Sequence, residues 1–256
     1  MTLPRAVADA VAAFAAQPVV LVATDFDGVL APLVLDPSDS RPLDGTVESL
    51  LALAAAPATH AAVVSGRDLE TLTSLTGLAG SSVTRIASHG AQSSGEASPP
   101  ALGRAQRDLL TLLTAQLEAV VTDHPGARLE HKPAAVVLHT RGLQEPAARS
   151  AEQAALEVTT RHTEVHVLHG KHVVEASVVR ADKGSALMAL RDTVGADAVA
   201  YFGDDVTDEH AFALLGALDL GVKVGDGDTA ATHRVAGPPE VAQALELLAR
   251  LRTEPR

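Results

Sequence analysis

Val19-Val20-Leu21-Val22-Ala23-Thr24-Asp25-Phe26-Asp27-Gly28-Val29 is the stretch that decides the fold. The apolar run Val19 to Ala23 ends on two acids and a glycine. A continuous apolar run, rather than an alternating one, suits a strand buried on both faces of a parallel sheet. Ligands of open parallel sheets sit beyond the carboxyl ends of the strands, which is where Asp25 and Asp27 fall. Two residues apart on extended chain, their side chains point the same way, and Gly28 lets the chain turn sharply behind them.

Outward from this stretch, Ala61–Val64, Val83–Ala87 and Ala198–Phe202 have the same form, and helical patterns cover Val7–Phe14, Val47–Ala56 and Leu69–Leu75. Alternating strands and helices predict an α/β fold with a Rossmann-like parallel sheet. A stretch rich in Ser, Gly and Pro, Ser93–Pro100, reads as a linker. The rhythm then changes to a helix at Gln106–Val121, a strand at Ala135–His139 and a helix at Pro146–Thr160. Strands at Glu164–Leu168 and Val173–Ser177 complete a small α+β unit, and the α/β pattern resumes after Ala181. The expected organisation is a catalytic core from residues 1–98 and 181–256 with an inserted unit over 99–180.

Composition agrees with this division. A chain of 256 residues suits a core domain with a smaller companion. Hydrophobic residues at 46% and charged residues at 20% indicate a packed globular protein, and aromatics at 2% leave the core to Ala, Val and Leu. The formal charge of -12 disfavours nucleic acid and anionic membranes as partners, and there are few aromatic platforms for bases. The absence of cysteine excludes thiol catalysis, disulfides and cysteine metal sites. Met1 to Val22 shows no basic n-region or cleavage site, and no run reaches membrane-spanning length, so a cytoplasmic protein is the default expectation.

Gly203-Asp204-Asp205-Val206-Thr207-Asp208-Glu209 places a second group of acids after a buried strand. Asp208 and Glu209 alone would suit a helix N-terminus; Asp204 and Asp205, between strand and helix, are harder to dismiss. If the two loops meet, the converging carboxylates require cations, and hard oxygen ligands select Mg²⁺. Ser65-Gly66-Arg67 ends another strand and could form an oxyanion site, although taken alone a plain turn is the better reading. Lys183, in Asp182-Lys183-Gly184, could neutralise phosphate and the acids, or be a solvated lysine. Lys183-Gly184-Ser185 has the wrong order for a Walker A loop, Gly221 to Asp228 reads as a turn, and there is no Gly-x-Ser-x-Gly elbow.

The order Asp25-x-Asp27, Ser65, Lys183, Gly203-Asp204-Asp205-x-x-Asp208 resembles the four motifs of the haloacid dehalogenase (HAD) superfamily of phosphatases. The last motif, together with Val64-Ser65-Gly66-Arg67 and Ser88-His89-Gly90-Ala91, is similar to the trehalose-6-phosphate phosphatase family. So are Glu130-His131-Lys132-Pro133, His139-Thr140-Arg141 and Val173-Val174-Glu175 on the inserted unit. Val29 stands where that family more often has Thr, Thr140 where it has Tyr, and Ala181-Asp182 lacks the usual Pro and Gly.

The resemblance implies a HAD core with an α+β cap that gives specificity, and hydrolysis of trehalose 6-phosphate through an aspartyl-phosphate. In that scheme Asp25 is the nucleophile and Asp27 the general acid and base, with Ser65 and Lys183 on the phosphoryl group. Mg²⁺ is expected on Asp25, Asp27, Asp204, Asp205 and Asp208. Arg67, His89, Glu130, Lys132, His139, Arg141 and Glu175 are expected to bind substrate. The partners implied are the sugar phosphate itself and a functional link to a trehalose-6-phosphate synthase. A HAD phosphatase for sucrose or mannosyl phosphates, and a catalytically silent sugar-phosphate sensor, are the competing readings.

Overall fold

The structure, a computed structural model, describes residues 3–95, 102–170, 172–179 and 182–254. In chain order its elements begin with α1 (Arg5–Ala15), β1 (Val20–Thr24), α2 (Thr46–Ala55), β2 (Thr59–Val64), α3 (Leu69–Thr76), β3 (Thr84–Ala87) and β4 (Gln92–Ser93). There follow α4 (Arg104–Asp123), β5 (Arg128–Lys132), β6 (Ala135–His139), α5 (Glu145–Thr159), β7 (His166–Gly170) and β8 (Val173–Ser177). The chain closes with α6 (Lys183–Val194), β9 (Ala198–Gly203), α7 (Glu209–Phe212), β10 (Leu220–Val224), β11 (His233–Val235) and α8 (Pro238–Thr253). It divides into two compact units, Met1–Pro99 with Asp182–Arg256, and Pro100–Ala181. Of the expected linker, Ser93 belongs to β4, and residues 96–100 lie outside the described residues, as does Ala181.

The first unit is built on a seven-stranded sheet of order β11-β10-β9-β1-β2-β3-β4, parallel except for β4. Every residue of β1 is buried, which is why its sequence shows no alternation. Val20 and Val22 face one layer with Phe14, Leu50, Leu53, Leu72, Leu245 and Leu248. Leu21 and Ala23 face the other with Leu187, Leu190, Tyr201 and Phe212. Because β1 lies between β9 and β2, their carboxyl ends share one edge, at the point where the strand order reverses. The ladders continue into the loops beyond: the Asp25 amide donates to the Phe202 carbonyl at 2.8 Å, and the Ser65 amide to the Ile86 carbonyl at 2.8 Å.

One reading of the sequence needs correction in this unit. The first four residues of the Gly221–Asp228 stretch taken for a turn belong to a buried strand, β10; the turn begins at Gly225, whose φ is +77°. A helix does follow the acidic motif at Glu209, and α7 is a single turn.

The second unit is a four-stranded antiparallel sheet of order β5-β6-β8-β7. Leu113 and Leu117 of α4 and Ala151 and Ala155 of α5 pack with Val136, Leu138, Val174 and Ala176. β5 had no strand signal in the sequence, because Arg128, Glu130 and Lys132 alternate away from that apolar layer. Among the described residues of both units, no helix is long and apolar enough to cross a membrane.

Leu21 is fully buried on β1, so Leu21→Ala should destabilise the protein by about 2–5 kcal/mol, read as a lower urea midpoint.

Candidate active site

Asp25 is the first residue beyond β1 and is 4% exposed. Its Oδ1 accepts the Phe26 amide at 2.6 Å and its Oδ2 accepts Lys183 Nζ at 2.8 Å. Gly28 has φ +78°, and a Cβ there would stand 2.1 Å from Asp204 Oδ2. The two acidic loops therefore meet at a position that only glycine fits. Asp27 receives Arg67 Nε and Nη2 on its two oxygens, each at 2.7 Å, and Ser40 Oγ at 3.0 Å.

Lys183 is placed by a helix start. Asp182 caps α6 by accepting the Ser185 amide at 2.8 Å, which makes Lys183 the first helical residue, 1% exposed. Besides Asp25, its ammonium donates to Asp208 Oδ1 at 2.9 Å and lies 3.8 Å from Asp205 Oδ1. Asp208, wholly buried, also accepts the Tyr201 hydroxyl at 2.6 Å and the amides of Asp204 and Asp205 at 2.8 and 3.0 Å. Those four donors fix the Asp208 carboxylate in place. Asp205 Oδ1 accepts the Thr207 amide and hydroxyl and the Asp208 amide, forming an Asx turn within the loop.

The charges here do not balance among themselves. Burial pushes the Asp25 carboxyl well above its usual range; Lys183 opposes this and Asp208 reinforces it. Burial alone would lower the Lys183 ammonium, but Asp25, Asp208 and Asp205 outweigh it and raise it. Asp204 is pushed up from 3.8 to about 6, first by burial and then by Asp208 and Asp205. Burial would likewise raise Asp205, yet Lys183 and the Thr207 donors bring it below its usual value. Oxygens of Asp25, Asp204 and Asp208 lie within 4.8 Å of one another, so this buried acidic triad could hold a metal ion. The donor set is all oxygen, as suits hard divalent cations. Burial is the larger cause of the raised Asp25 and Asp204 values, and a cation would relieve the repulsion from neighbouring acids that adds to it. The side chains of Asp27 and Asp205 are not part of that cluster.

The Ser65-Gly66-Arg67 turn faces the same edge. Ser65, 1% exposed, accepts the Arg67 amide on Oγ at 3.2 Å, which leaves its hydroxyl proton to donate. Ser88 and His89 adopt φ of +49° and +54°, an uncommon left-handed pair for residues with side chains. Their amides donate to the Arg67 and Ser65 carbonyls at 2.7 and 3.0 Å. The His89 imidazole lies so close to Gly66 that a Cβ there would be 2.6 Å from it. Asp25, Asp27, Ser65, Arg67, His89, Lys183, Asp204 and Asp205 line one cavity of about 530 Å³, with Leu33, Val34 and Pro37 as an apolar side.

On the second unit, Glu130, Lys132, His139 and Glu175 share the sheet face turned away from α4 and α5, in the registers Glu130↔Val137↔Glu175 and Arg128↔His139. Lys132 Nζ bonds Glu175 Oε2 at 2.8 Å, and His139 Nε2 lies 2.8 Å from Glu130 Oε2. Arg141 lines a cavity of about 340 Å³ with Arg128, His139, His172 and Val173. Thr140 is buried and donates to Glu152 of α5 at 2.5 Å.

Sequence reasoning missed Ser40, Tyr201 and Lys223. Lys223, 4% exposed on β10, donates to the Asp204 carbonyl at 2.6 Å and lies 3.5 Å from Glu209. Only its position in a strand could have revealed it.

A parallel sheet carrying an acidic loop after its central strand, interrupted after β4 by an α+β unit, is the HAD fold with a cap. The family model for trehalose-phosphatase matches residues 23–236. The trehalose-phosphate phosphatase of Mycobacterium tuberculosis is 34% identical over 262 residues, covering 92% of this chain and 62% of its own length. This chain thus spans less than two thirds of that relative. A solved trehalose-6-phosphate phosphatase related protein superposes with TM-score 0.66 at 26% identity, covering 90% of this chain and 97% of its own. The C-terminal domain of C. albicans trehalose-6-phosphate phosphatase has the same fold, with TM-score 0.71 at 22% identity over 98% of both chains. The chain belongs to the trehalose-phosphatase family.

The raised Asp204 carboxyl fixes the sign of a pH effect. A native value above the unfolded one contributes stability below about pH 4 that is lost as pH rises through about 6. Asp204→Asn does not titrate. In chelator, urea midpoints should therefore show the wild type losing ground to Asp204→Asn between about pH 4 and about pH 6. A constant difference across that window would contradict the assignment.

Proposed function

We propose that this chain hydrolyses trehalose 6-phosphate to trehalose and inorganic phosphate through an aspartyl-phosphate on Asp25. The observation that carries the reading is the buried Asp25 carboxylate held by Lys183 at 2.8 Å beside the oxygens of Asp204 and Asp208. Family membership supplies the substrate class.

In the first half-reaction an Asp25 oxygen forms a bond to phosphorus as the bond from phosphorus to the sugar oxygen breaks. Asp27 gives its proton to that leaving oxygen. In the second, Asp27 takes a proton from water, the water oxygen bonds to phosphorus, and the bond from phosphorus to Asp25 breaks. Ser65 donates its free hydroxyl proton to a phosphoryl oxygen, and Lys183 offers its ammonium to the same group. Of the cations the acidic triad suits, we assign Mg²⁺, held by the Asp25 and Asp204 side chains and the Asp27 carbonyl with Asp205 and Asp208 behind them. When bound, Mg²⁺ screens the Asp25 carboxylate from the phosphate dianion and stabilises the charge that develops in transfer.

On the cap, Glu130, Lys132, His139, Arg141 and Glu175 are assigned to sugar hydroxyls, and His89 in the core to the substrate. Directed polar contacts of this kind are how a site rejects analogues lacking the right hydroxyls. We place the reaction in the cytoplasm, where a charged sugar that cannot cross a bilayer is retained. A trehalose-6-phosphate synthase is the functional link this assigns, since it would supply the substrate.

Asp25→Asn should abolish phosphate release while keeping the native fold, read as an unchanged far-UV circular dichroism spectrum; substantial turnover, with deamidation excluded, would overturn the covalent route. Chelation should stop the wild type and Mg²⁺ restore it, whereas Ca²⁺, with its larger and looser coordination shell, should inhibit.

Alanine at Glu130, Lys132 or Glu175 should lower kcat/KM for trehalose 6-phosphate by roughly ten- to a hundredfold. The same variants should leave a small aryl phosphate nearly unaffected. Equal losses on both substrates, or none on either, would remove the sugar assignment; a wild-type preference for another sugar phosphate would replace it.

A further inference from the structure

Three side-chain hydrogen bonds from within the core unit hold Asp27 at the cavity. Arg67 meets both of its oxygens at 2.7 Å, and Ser40 Oγ meets Oδ1 at 3.0 Å. A planar guanidinium bonded to both oxygens fixes the plane of a carboxylate as well as its place. Arg67 is in turn fixed on three sides. Its amide donates to Ser65 Oγ at 3.2 Å, its carbonyl accepts the Ser88 amide at 2.7 Å, and its guanidinium lies 5.3 Å from the centre of the Phe26 ring. Only 13% of its side chain is exposed.

Ser40 is fully buried and its hydroxyl donates to Asp27. Its turn is stiffened by Asp36, which accepts the Ser38 amide at 2.9 Å, and by Arg41, which donates to the Ser38 and Ser40 carbonyls at 2.8 Å each. Ser40 does not line the cavity, so the direct route from its hydroxyl to the reaction is through Asp27.

We infer that Arg67 and Ser40 are positioning residues for Asp27, orienting its carboxyl group as the acid of the first proton transfer and the base of the second in the proposed hydrolysis, and that holding Asp27 is the task of the Arg67 guanidinium. The inference rests on the reading of the chain as an aspartyl-phosphate phosphatase. Small misplacements of a reacting group cost large factors in rate. Asp27 serves the leaving oxygen in one step and water in the next, so a loss of orientation slows both steps. A substrate whose leaving group departs without a proton escapes the first penalty and meets only the second.

The test uses the full chain with Mg²⁺, comparing wild type, Ser40→Ala and Arg67→Lys on trehalose 6-phosphate and on dinitrophenyl phosphate by rapid mixing. On the sugar phosphate, Ser40→Ala should lower kcat about three- to tenfold. Arg67→Lys keeps the charge but loses the fork, and should lower kcat about ten- to a hundredfold. KM should stay near the wild-type value in both. On dinitrophenyl phosphate the first release of dinitrophenolate, which reports phosphorylation of Asp25, should keep its wild-type rate. The steady state that follows should slow.

A raised KM with unchanged kcat would make Arg67 a substrate ligand and overturn the inference. So would a first release slowed as much as the steady state, which would point to phosphoryl contact or lost structure. Should Arg67→Lys fail to fold, Ser40→Ala decides alone, because removing one buried oxygen leaves the packing nearly intact; unchanged kcat in that variant overturns the inference. An active wild type without this pattern refutes the positioning role only, whereas a wild type that releases no phosphate from either substrate refutes the phosphatase reading and the inference with it.

Discussion

The ammonium of Lys183 is the interaction on which the rest of the core site depends. It is 1% exposed and touches Asp25 and Asp208 at 2.8 and 2.9 Å. A buried charge is tolerable only when it is paired and hydrogen-bonded, and neither carboxylate could be buried here without it. Its position follows from a short-range rule. Asp182 caps α6, so the lysine falls at the helix start, on the edge of the sheet where β1 and β9 end. A helix N-terminus disfavours a cation, which makes the two carboxylates the reason the lysine stays there. The remaining excess of negative charge suits the site to a further cation.

Residues of one type differ here because their hydrogen bonds differ. Asp208 is surrounded by Lys183, Tyr201 and two backbone amides and acts as the anchor of its loop. Asp204, four residues earlier, lends its carbonyl to Lys223 and sets its carboxylate against Gly28. Its elevated value reflects burial first and then the charges of Asp208 and Asp205, which Lys183 and Lys223 only partly offset. Tyr201, pushed well above its usual range by burial and then by Asp208, remains a hydroxyl donor.

How much of this was legible in the sequence depended on range. The strands β1 and β9 and their acidic loops could be read directly, because a strand buried on both faces writes an unbroken apolar run. β5 and β10 could not: one carries three polar residues on a single face, and the other is interrupted by Gly221 and Lys223. Asp25, Asp27, Ser65, Arg67, His89, Lys183, Asp204 and Asp205 were all named from motifs, and they line one cavity. The partner of Arg67 was not foreseen, because Asp27 is 40 residues away and nothing local ties the two. Ser40 and Tyr201 were invisible for the same reason: a serine in a turn and a tyrosine in an apolar run show no chemistry until a fold brings them to a carboxylate.

The cap sheet carries Glu130, Lys132, His139 and Glu175 on one face and its apolar layer on the other. Pleating makes these two sets strictly interleaved along each strand. An insertion or deletion of a single residue within β5, β6 or β8 would exchange the sets, turning charges into the helix layer and valines outward. Lineages that diversify this face are therefore confined to point substitutions at alternate positions, and length variation must fall in the turns. The prediction for a family tree is a gap-free block across these three strands, with its variability in every second column.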